Sequence, residues 1–110
     1  MKKSTINFVV ELDEKNTPER ITWDASDKPD ELSETKSISL SLWDHKQKNT
    51  LRIDLWTKDM PVDEMKRFYI DCLGGLAQSA LTSTGDEYIS NEINDLCEKL
   101  VKHLKKENKG

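Results

Sequence analysis

The chain has 110 residues, of which 35% are hydrophobic and 35% are charged, and its formal net charge at pH 7 is −4. This length allows one domain with one core, and the low apolar content means that the core is small unless the chain completes it by association. The negative net charge argues against nucleic acid and against an anionic membrane surface as partners.

The first predicted element is a strand over residues 5–13. Apolar side chains alternate with polar ones there, which is the period of a half-buried strand. The lysines before it resemble the start of a signal peptide, but Asn7 and Glu11 interrupt the apolar run and no small-residue cleavage site follows. No run elsewhere is long enough to cross a bilayer, so we expect a cytoplasmic protein without direct membrane insertion.

Further strands are predicted before the helices begin. A short alternating run at 21–25 forms the second strand, residues 36–43 form the third and residues 50–57 form the fourth. The polar connection from Ser26 to Glu34 contains a single large apolar residue, and we therefore predict a mobile loop there.

The third and fourth strands are predicted to form an antiparallel hairpin closed by residues 44–49. The favoured register places all aliphatic side chains on one face, because a slip by one residue would set leucines against charged residues. This register pairs Leu42 with Leu51, Leu40 with Ile53 and Ile38 with Leu55. On the other face it pairs Ser41 with Arg52, Ser39 with Asp54 and Ser37 with Trp56.

Two helices are predicted to follow the strands, over residues 61–82 and 85–105, with a frayed basic tail at 106–110. Pro61 suits the first position of a helix, where its missing N–H has no partner to lose. Apolar residues then recur at three- and four-residue steps through both segments, which predicts one apolar stripe on each helix.

Two local signals refine the helical region. Gly74 and Gly75 lie inside the first helix, where a glycine costs about 1 kcal/mol relative to alanine, so the pair indicates a close neighbour or a kink. Thr84 and Glu87 have the spacing of a capping box, which predicts the start of the second helix.

Strands that all precede the helices are typical of an α+β fold. We predict a single domain over residues 1–110, with a four-stranded antiparallel sheet over residues 5–57, the element order ββββαα, and both helices packed on one face of the sheet. The order of strands and helices resembles that of the SecB-type export chaperones, which is an analogy of element order alone.

Side chains that could carry catalysis or bind a metal show no recognised spacing. The carboxylates near the start of the first helix, Asp59, Asp63 and Glu64, suit the positive end of the helix dipole and lack the further oxygen ligands of a metal site. The other reactive side chains lie in basic segments or on apolar stripes and have ordinary structural interpretations. They are His45, His103, Cys72 and Cys97. We therefore expect no enzymatic activity, no metal and no cofactor.

The outward face of the predicted hairpin is the unusual feature of the sequence. It carries Trp43 and Trp56 together with Arg52, Asp54 and small serines. Tryptophan and arginine are the residues that protein interfaces favour most, and serines let another surface approach closely. This face is therefore predicted to bind a protein. The alternative is that both tryptophans pack over the strand ends as a small satellite cluster.

The segment from Thr50 to Phe68, TLRIDLWTKDMPVDEMKRF, resembles the gliding-motility protein GldC family. The segment after Ile70 fits that family in length and character. Other runs before the first helix also fit in order and length, namely residues 42–44, 10–14, 18–19, 21–25 and 34–36.

This resemblance implies a small soluble protein without a signal peptide, associated with the gliding apparatus and its linked protein-secretion system. It implies an accessory part rather than an enzyme, and it offers no catalytic residue to carry over. If the family has a common partner, the motif residues to suspect are Arg52, Asp54, Trp56, Lys58, Asp59, Pro61 and Asp63.

We therefore expect a non-enzymatic protein that acts in gliding or the associated secretion through protein–protein contact. The alternative is a chaperone-like binder of unfolded or exported polypeptides. The small apolar core and the two tryptophans also favour a homo-oligomer. The predicted interaction surface consists of Trp43, Arg52, Asp54, Trp56, Lys58, Asp59 and Asp63.

Overall fold

A computed structural model describes residues 1–27 and 33–108 of the chain. The backbone forms two compact units, Met1–Pro61 and Val62–Gly110. The strands lie in the first unit and the helices in the second, which confirms the α+β class. The expectation of a single domain, with the helices on one face of the sheet, stays a prediction.

The described part of the chain contains five strands and two helices. The strands are β1 (Ile6–Leu12), β2 (Pro18–Ala25), β3 (Ser33–Thr35), β4 (Ser37–Trp43) and β5 (Thr50–Trp56), and the helices are α1 (Val62–Thr84) and α2 (Glu87–Asn108). The strand that the sequence does not predict is β3, which begins inside the predicted loop from Ser26 to Glu34. Residues 28–32 of that loop lie outside the described residues.

β1 and β2 form an antiparallel hairpin around the turn at residues 13–17. The Asp13 carboxylate closes this turn, because its Oδ1 accepts hydrogen bonds from the N–H groups of Lys15 at 2.8 Å and Thr17 at 3.0 Å. Asn16 occupies the left-handed position of the turn with a φ of 64°. On β2, the Ile21 side chain is fully buried and forms the apolar centre of this unit.

The strands form two antiparallel sheets, β1-β2-β3 and β4-β5, and the predicted single four-stranded sheet is wrong. β3 and β4 are separated only by Lys36, yet β2 pairs with β3 whereas β5 pairs with β4. At this break the Lys58 N–H donates to the Pro18 carbonyl at 3.0 Å, so the start of β2 meets the chain after β5. Proline also has no N–H, which removes a donor that a continuous ladder onto β4 would need.

The β4–β5 hairpin has the predicted register from end to end. Leu51 and Ile53 are each 47% exposed, so the apolar side of the hairpin is less buried than its period predicts. We call this side the aliphatic face, and it consists of Ile38, Leu40, Leu42, Leu51, Ile53 and Leu55. The opposite side carries tryptophans and polar side chains.

α1 and α2 pack as an antiparallel pair. Lys66, near the start of α1, and Glu107, near the end of α2, form an ion pair with an Nζ–Oε2 distance of 2.7 Å. Between them, the Cys97 thiol lies 3.9 Å from the Ile70 carbonyl oxygen. α2 continues to Asn108, so the predicted frayed tail at 106–110 is helical as far as it is described.

The junction between the helices differs from the predicted capping box. Thr84 is the last residue of α1, and its hydroxyl donates to the Ala80 carbonyl at 2.6 Å. Gly85 follows with a φ of 73°, the left-handed conformation that ends many helices. Asp86 then caps α2, because its Oδ1 accepts the Ile89 N–H at 3.2 Å. Thr84 Oγ1 accepts the N–H of Asp86 at 3.0 Å, so the hydroxyl of Thr84 contacts the junction while Asp86 provides the helix cap.

Candidate functional site

The face of the β4–β5 hairpin opposite the aliphatic face is the candidate site. Alternation along both strands places every second side chain here, and the observed register sets Ser41 against Arg52 and Ser39 against Asp54. We call this surface the tryptophan face. It consists of Ser39, Ser41, Trp43, Arg52, Asp54 and Trp56.

The Arg52 guanidinium is held across the middle of the tryptophan face. Its Nη2 lies 2.8 Å from Asp54 Oδ1 and its Nε lies 3.3 Å from Asp54 Oδ2, which makes a two-point contact on one strand. Its Nη2 also donates to Ser39 Oγ at 2.6 Å, and its Nη1 donates to Ser41 Oγ on the neighbouring strand. The arginine therefore holds one orientation before any partner arrives.

The same network lowers the pKa of Asp54. Hydrogen bonds from Arg52 are the largest cause, and the Ser39 hydroxyl, which donates to Asp54 Oδ1 at 2.9 Å, is the next. Asp54 is therefore ionised at neutral pH, and its negative charge offsets the positive charge of Arg52 beside it. The centre of the tryptophan face is a polar surface in which the two charges are paired.

The two tryptophans lie at opposite ends of this network. Trp43 is 67% exposed at the end that leads into the hairpin loop, and Trp56 is 50% exposed at the other end. Trp56 and Asp54 also line a shallow groove, together with Thr17, Pro18, Leu55 and Lys58. A partner that lies along the strands would therefore meet an aromatic ring at each end and a fixed arginine between them.

Lys58, which lines this groove, also belongs to an ion-pair cluster. Its Nζ lies 3.1 Å from Asp13 Oδ2 and 3.2 Å from Glu19 Oε1, so it links the chain after β5 to the β1–β2 turn. Hydrogen bonds to Asp13 and then Glu19 raise the pKa of Lys58. The pKa of Asp13 is lowered, first by the backbone N–H groups of Thr17 and Lys15 and then by Lys58.

Asp59 lies on the other side of the same segment. Its Oδ1 accepts the Thr57 hydroxyl at 2.6 Å and its Oδ2 lies 3.1 Å from the Lys36 Nζ, and both contacts, in this order, lower the pKa of Asp59. Lys36 is the residue at the break between β3 and β4. Lys58 and Asp59 therefore connect segments of the strand-rich unit, and the sequence alone placed them on the interaction surface without this role.

Thr57 is a residue that sequence reasoning missed. It is 1% exposed, and its N–H donates to the Lys36 carbonyl at 2.9 Å. A signal for it was present in the sequence, because Thr57 continues the phase of the apolar residues Leu51, Ile53 and Leu55. A hydroxyl on the same side of the strand as the apolar residues predicts a buried polar group that has a specific hydrogen-bond partner.

Asp63 lies in the first turn of α1, next to Glu64. Its negative charge is favourable there because the amino end of a helix carries partial positive charge. Asp63 belongs to the helical unit, so it is not assigned to the tryptophan face. The predicted site residues therefore lie on the tryptophan face, in the Lys58–Asp59 segment and at the start of α1, and the groove beside Pro18 brings Lys58 next to Asp54 and Trp56.

The other reactive side chains are placed as follows. Cys72 and Cys97 are free thiols of intermediate burial. His103 Nε2 lies 2.5 Å from Glu107 Oε1, within α2. In residues 1–27 and 33–108, histidine, cysteine and carboxylate side chains form no group able to hold a metal ion. Over the same residues, no helix is both long enough and apolar enough to span a membrane.

Comparison with known proteins gives a family match. The family model described as "Gliding motility-associated protein GldC-like" matches residues 18–106. The match extends from β2 through most of α2, and it includes Arg52, Asp54, Trp56, Lys58 and Asp59. No curated protein and no solved structure matches the chain significantly.

Proposed function

Because the chain belongs to the GldC-like family of gliding motility-associated proteins, we propose that it is a non-enzymatic, cytoplasmic accessory protein that binds a protein partner in gliding or the linked secretion machinery. The observation that carries the proposal is the tryptophan face. It combines two exposed tryptophans with an arginine that is already oriented. The family match supports a role in gliding or the linked secretion, and the tryptophan face is the surface that we propose binds the partner.

The chemistry of the tryptophan face suits protein recognition. Tryptophan and arginine account for a large share of the binding energy in measured interfaces. Arg52 is held by Asp54 and by serines of the neighbouring strand, so binding costs less side-chain entropy than it would for a freely moving arginine. The expected partner presents apolar side chains to the tryptophans and a carbonyl or carboxylate oxygen to the guanidinium.

The Lys58–Asp59 segment has a supporting role in this proposal. Lys58 and Asp59 bond to the β1–β2 turn and to Lys36, so their side chains are engaged within the strand-rich unit. Substitution of either residue is expected to change stability first and partner binding only as a consequence. We therefore assign the direct contacts to Trp43, Arg52 and Trp56.

Affinity capture from a lysate of a gliding bacterium tests the proposal. We expect the wild-type protein to retain an identified gliding or secretion component, and the variant Arg52→Ala/Trp56→Ala to bind that component at least about tenfold more weakly. The matched control is Tyr88→Ala, which removes a 73% exposed aromatic side chain from α2 and should bind like the wild type.

Circular dichroism and thermal unfolding of each variant separate lost binding from lost folding. If the double variant is unfolded, Trp43→Ala provides the same test at the other end of the tryptophan face. Equal capture of the component by wild type, control and both kinds of variant would show that the tryptophan face is not the binding surface.

A chaperone-like role is the second candidate function. The observation that favours it is the partial exposure of the aliphatic face, where Leu42, Leu51 and Ile53 are each about half exposed. A chaperone should slow the aggregation of a denatured client, and Leu51→Ser/Ile53→Ser should abolish the effect. The accessory-protein proposal expects no such protection.

A further inference from the structure

β1 is the outermost strand of the β1-β2-β3 sheet, and its backbone groups have a defined phase. At one end of the β1–β2 ladder, the Thr5 carbonyl accepts the Ser26 N–H at 3.0 Å. At the other end, the Asp13 N–H donates to the Thr17 carbonyl at 2.9 Å. Hydrogen bonding alternates along an antiparallel strand, so odd-numbered residues of β1 bond towards β2. The N–H and C=O groups of even-numbered residues point to the opposite edge.

The outer edge of β1 is unpaired within the part of the chain that the structure describes. β1 pairs with β2 alone, and the outward N–H and C=O groups of Ile6, Phe8 and Val10 make no hydrogen bond with a described residue. Leu12 lies beside the β1–β2 turn in a shallow pocket that Lys58 also lines, so the open stretch is residues 6–10. An unpaired strand edge of this kind is a template for another strand.

This stretch lacks the features that protect edge strands from pairing. Natural edge strands are commonly blunted by prolines or charged side chains. Residues 4–10 contain neither a proline nor a charged residue. Ile6 is 65% exposed and Val9 is 55% exposed, one on each side of the strand. The composition of the edge therefore favours pairing with another strand.

Charges of opposite sign lie at the two ends of this uncharged stretch. Lys2 and Lys3 precede it, and Glu11 and Glu14 follow it. Lys2, Lys3 and Glu14 are exposed, and none of them forms an ion pair with another residue of 1–27 or 33–108. A strand that is positive at one end and negative at the other matches a second copy of itself in the antiparallel sense, because each end then meets the opposite charge.

We propose that the outer edge of β1 binds β1 of a second copy of the chain, antiparallel and centred on Phe8. Ile6 then lies opposite Val10 of the second copy, and their outward N–H and C=O groups are in the phase that a hydrogen-bonded pair requires. Phe8 lies opposite its own copy on the two-fold axis. The product is a continuous six-stranded antiparallel sheet, three strands from each copy. The proposal does not depend on the proposed function.

The charges at the strand ends favour this register. Pairing centred on Phe8 sets Lys3 opposite Asp13 and Lys2 opposite Glu14 of the second copy. Both lysines of each copy therefore meet a carboxylate of the other copy. Opposite charges directly across a strand pair stabilise it.

The neighbouring registers are less favourable. Registers that set an even-numbered residue opposite an odd-numbered one are excluded, because only even-numbered residues present hydrogen-bonding groups at this edge. Centring the pair on Val9 sets Lys3 opposite Lys15, and like charges across a strand pair are destabilising. Centring it on Asn7 leaves Lys2 opposite an apolar residue.

Cross-linking tests the edge and the register together. In a background with Cys72→Ser and Cys97→Ser, Phe8→Cys places two thiols on the two-fold axis. The Cα atoms of a hydrogen-bonded pair are about 5.5 Å apart, within the range that a disulfide spans. Ile6→Cys and Val10→Cys instead face each other between copies. We expect oxidation to give a covalent dimer from Phe8→Cys alone, and from the other two variants only when they are mixed.

A proline at the edge tests the backbone pairing in an otherwise natural chain. Ile6 is the first residue of β1, where proline is tolerated, and its N–H points outward, so Ile6→Pro removes no bond to β2. The matched control Ile6→Thr keeps the N–H. We expect the wild type and Ile6→Thr to dimerise, and Ile6→Pro to self-associate at least about tenfold more weakly.

Sedimentation velocity and native mass spectrometry measure dimerisation, and circular dichroism reports whether each variant folds. A wild type that is monomeric at about 1 mM, or a folded Ile6→Pro that dimerises as tightly as Ile6→Thr, would overturn the proposal. If Ile6→Pro does not fold, the cysteine variants decide the question. A dimer in which neither Phe8→Cys nor the mixture cross-links would show that the second copy binds elsewhere.

Discussion

Lys58 shows how a single charged side chain can join distant parts of the strand-rich unit. Its ammonium bonds to Asp13, which precedes it by 45 residues, and to Glu19 at the start of β2. Beside it, Asp59 bonds to Lys36 at the break between β3 and β4. The segment after β5 therefore contacts the β1–β2–β3 sheet at the β1–β2 turn and at Lys36 beyond β3, and these contacts hold the two sheets together alongside the buried Thr57.

The ion pairs around Lys58 predict a stability effect. Lys58→Met keeps the length of the side chain and removes the charge, so the thermal midpoint should fall by a few degrees, as is usual for exposed pairs. Lys46→Met in the hairpin loop is the matched control and should leave the midpoint unchanged. Differential scanning fluorimetry of the three proteins measures the effect, and equal midpoints would contradict it.

The dependence of this effect on pH follows from the pKa shifts. Asp13 has a lowered pKa, to which Lys58 contributes, so its stabilisation is present above the ordinary aspartate pKa of about 3.9 and is lost as the pH falls through the lower folded value. Lys58 has a raised pKa, so its stabilisation is present below the ordinary lysine pKa of about 10.4 and is lost as the pH rises through the folded value. The difference between wild type and Lys58→Met should therefore shrink at both extremes.

At the scale of elements, α1 contains an unusual pair of glycines. The helix continues through Gly74 and Gly75, and apart from the adjacent residues and the neighbouring backbone of α1 no described atom lies within 4 Å of a Cβ built at either position. The close neighbour that the sequence suggests is therefore not present among the described residues. Both glycines lose more backbone entropy on folding than alanine would, and no contact in the described structure offsets this loss.

Alanine at these glycines is expected to stabilise the protein. Gly74→Ala and Gly75→Ala should each raise the free energy of unfolding by up to about 1 kcal/mol, because alanine loses less backbone entropy in a helix. Gly85→Ala is the opposite control, since its φ of 73° disfavours a side chain, and it should lower stability. Urea unfolding followed by circular dichroism measures all three. Destabilisation by the first two would indicate a neighbour at the glycine pair.

At the scale of the whole molecule, the apolar side chains are poorly covered. Among the described residues, Ile21 and Ala77 are the only fully buried apolar residues, whereas Leu51 and Ile53 are each 47% exposed. Apolar surface on this scale is commonly covered by association. The aliphatic face therefore favours an arrangement with more than one copy.

Association predicts that stability depends on concentration. If folding is linked to association through the aliphatic face, the thermal midpoint of the wild type should rise over a roughly hundredfold increase in protein concentration. Leu51→Ser/Ile53→Ser should show a smaller rise, because it removes exposed apolar surface from the aliphatic face. Scanning calorimetry at several concentrations measures this, and a wild-type midpoint that does not change with concentration would contradict it.

Local patterns determined a large part of this protein. The alternation of apolar and polar side chains predicted β4 and β5. It also predicted their register, because a slip by one residue would place charges among leucines. The spacing of apolar residues at three- and four-residue steps predicted both helices. The tryptophan face followed from the same alternation. The family resemblance was likewise carried by a local motif, and the family match confirms it.

Tertiary structure alone decided the division into two sheets and the roles of Lys58, Asp59 and Thr57. These features depend on hydrogen bonds and ion pairs between residues far apart in the chain, such as Lys58 with Pro18 and Asp13. A periodic pattern reports which face of a strand is apolar, because that is a property of neighbouring residues. It does not report which backbone groups meet across space, because that depends on how separate segments bend and pack.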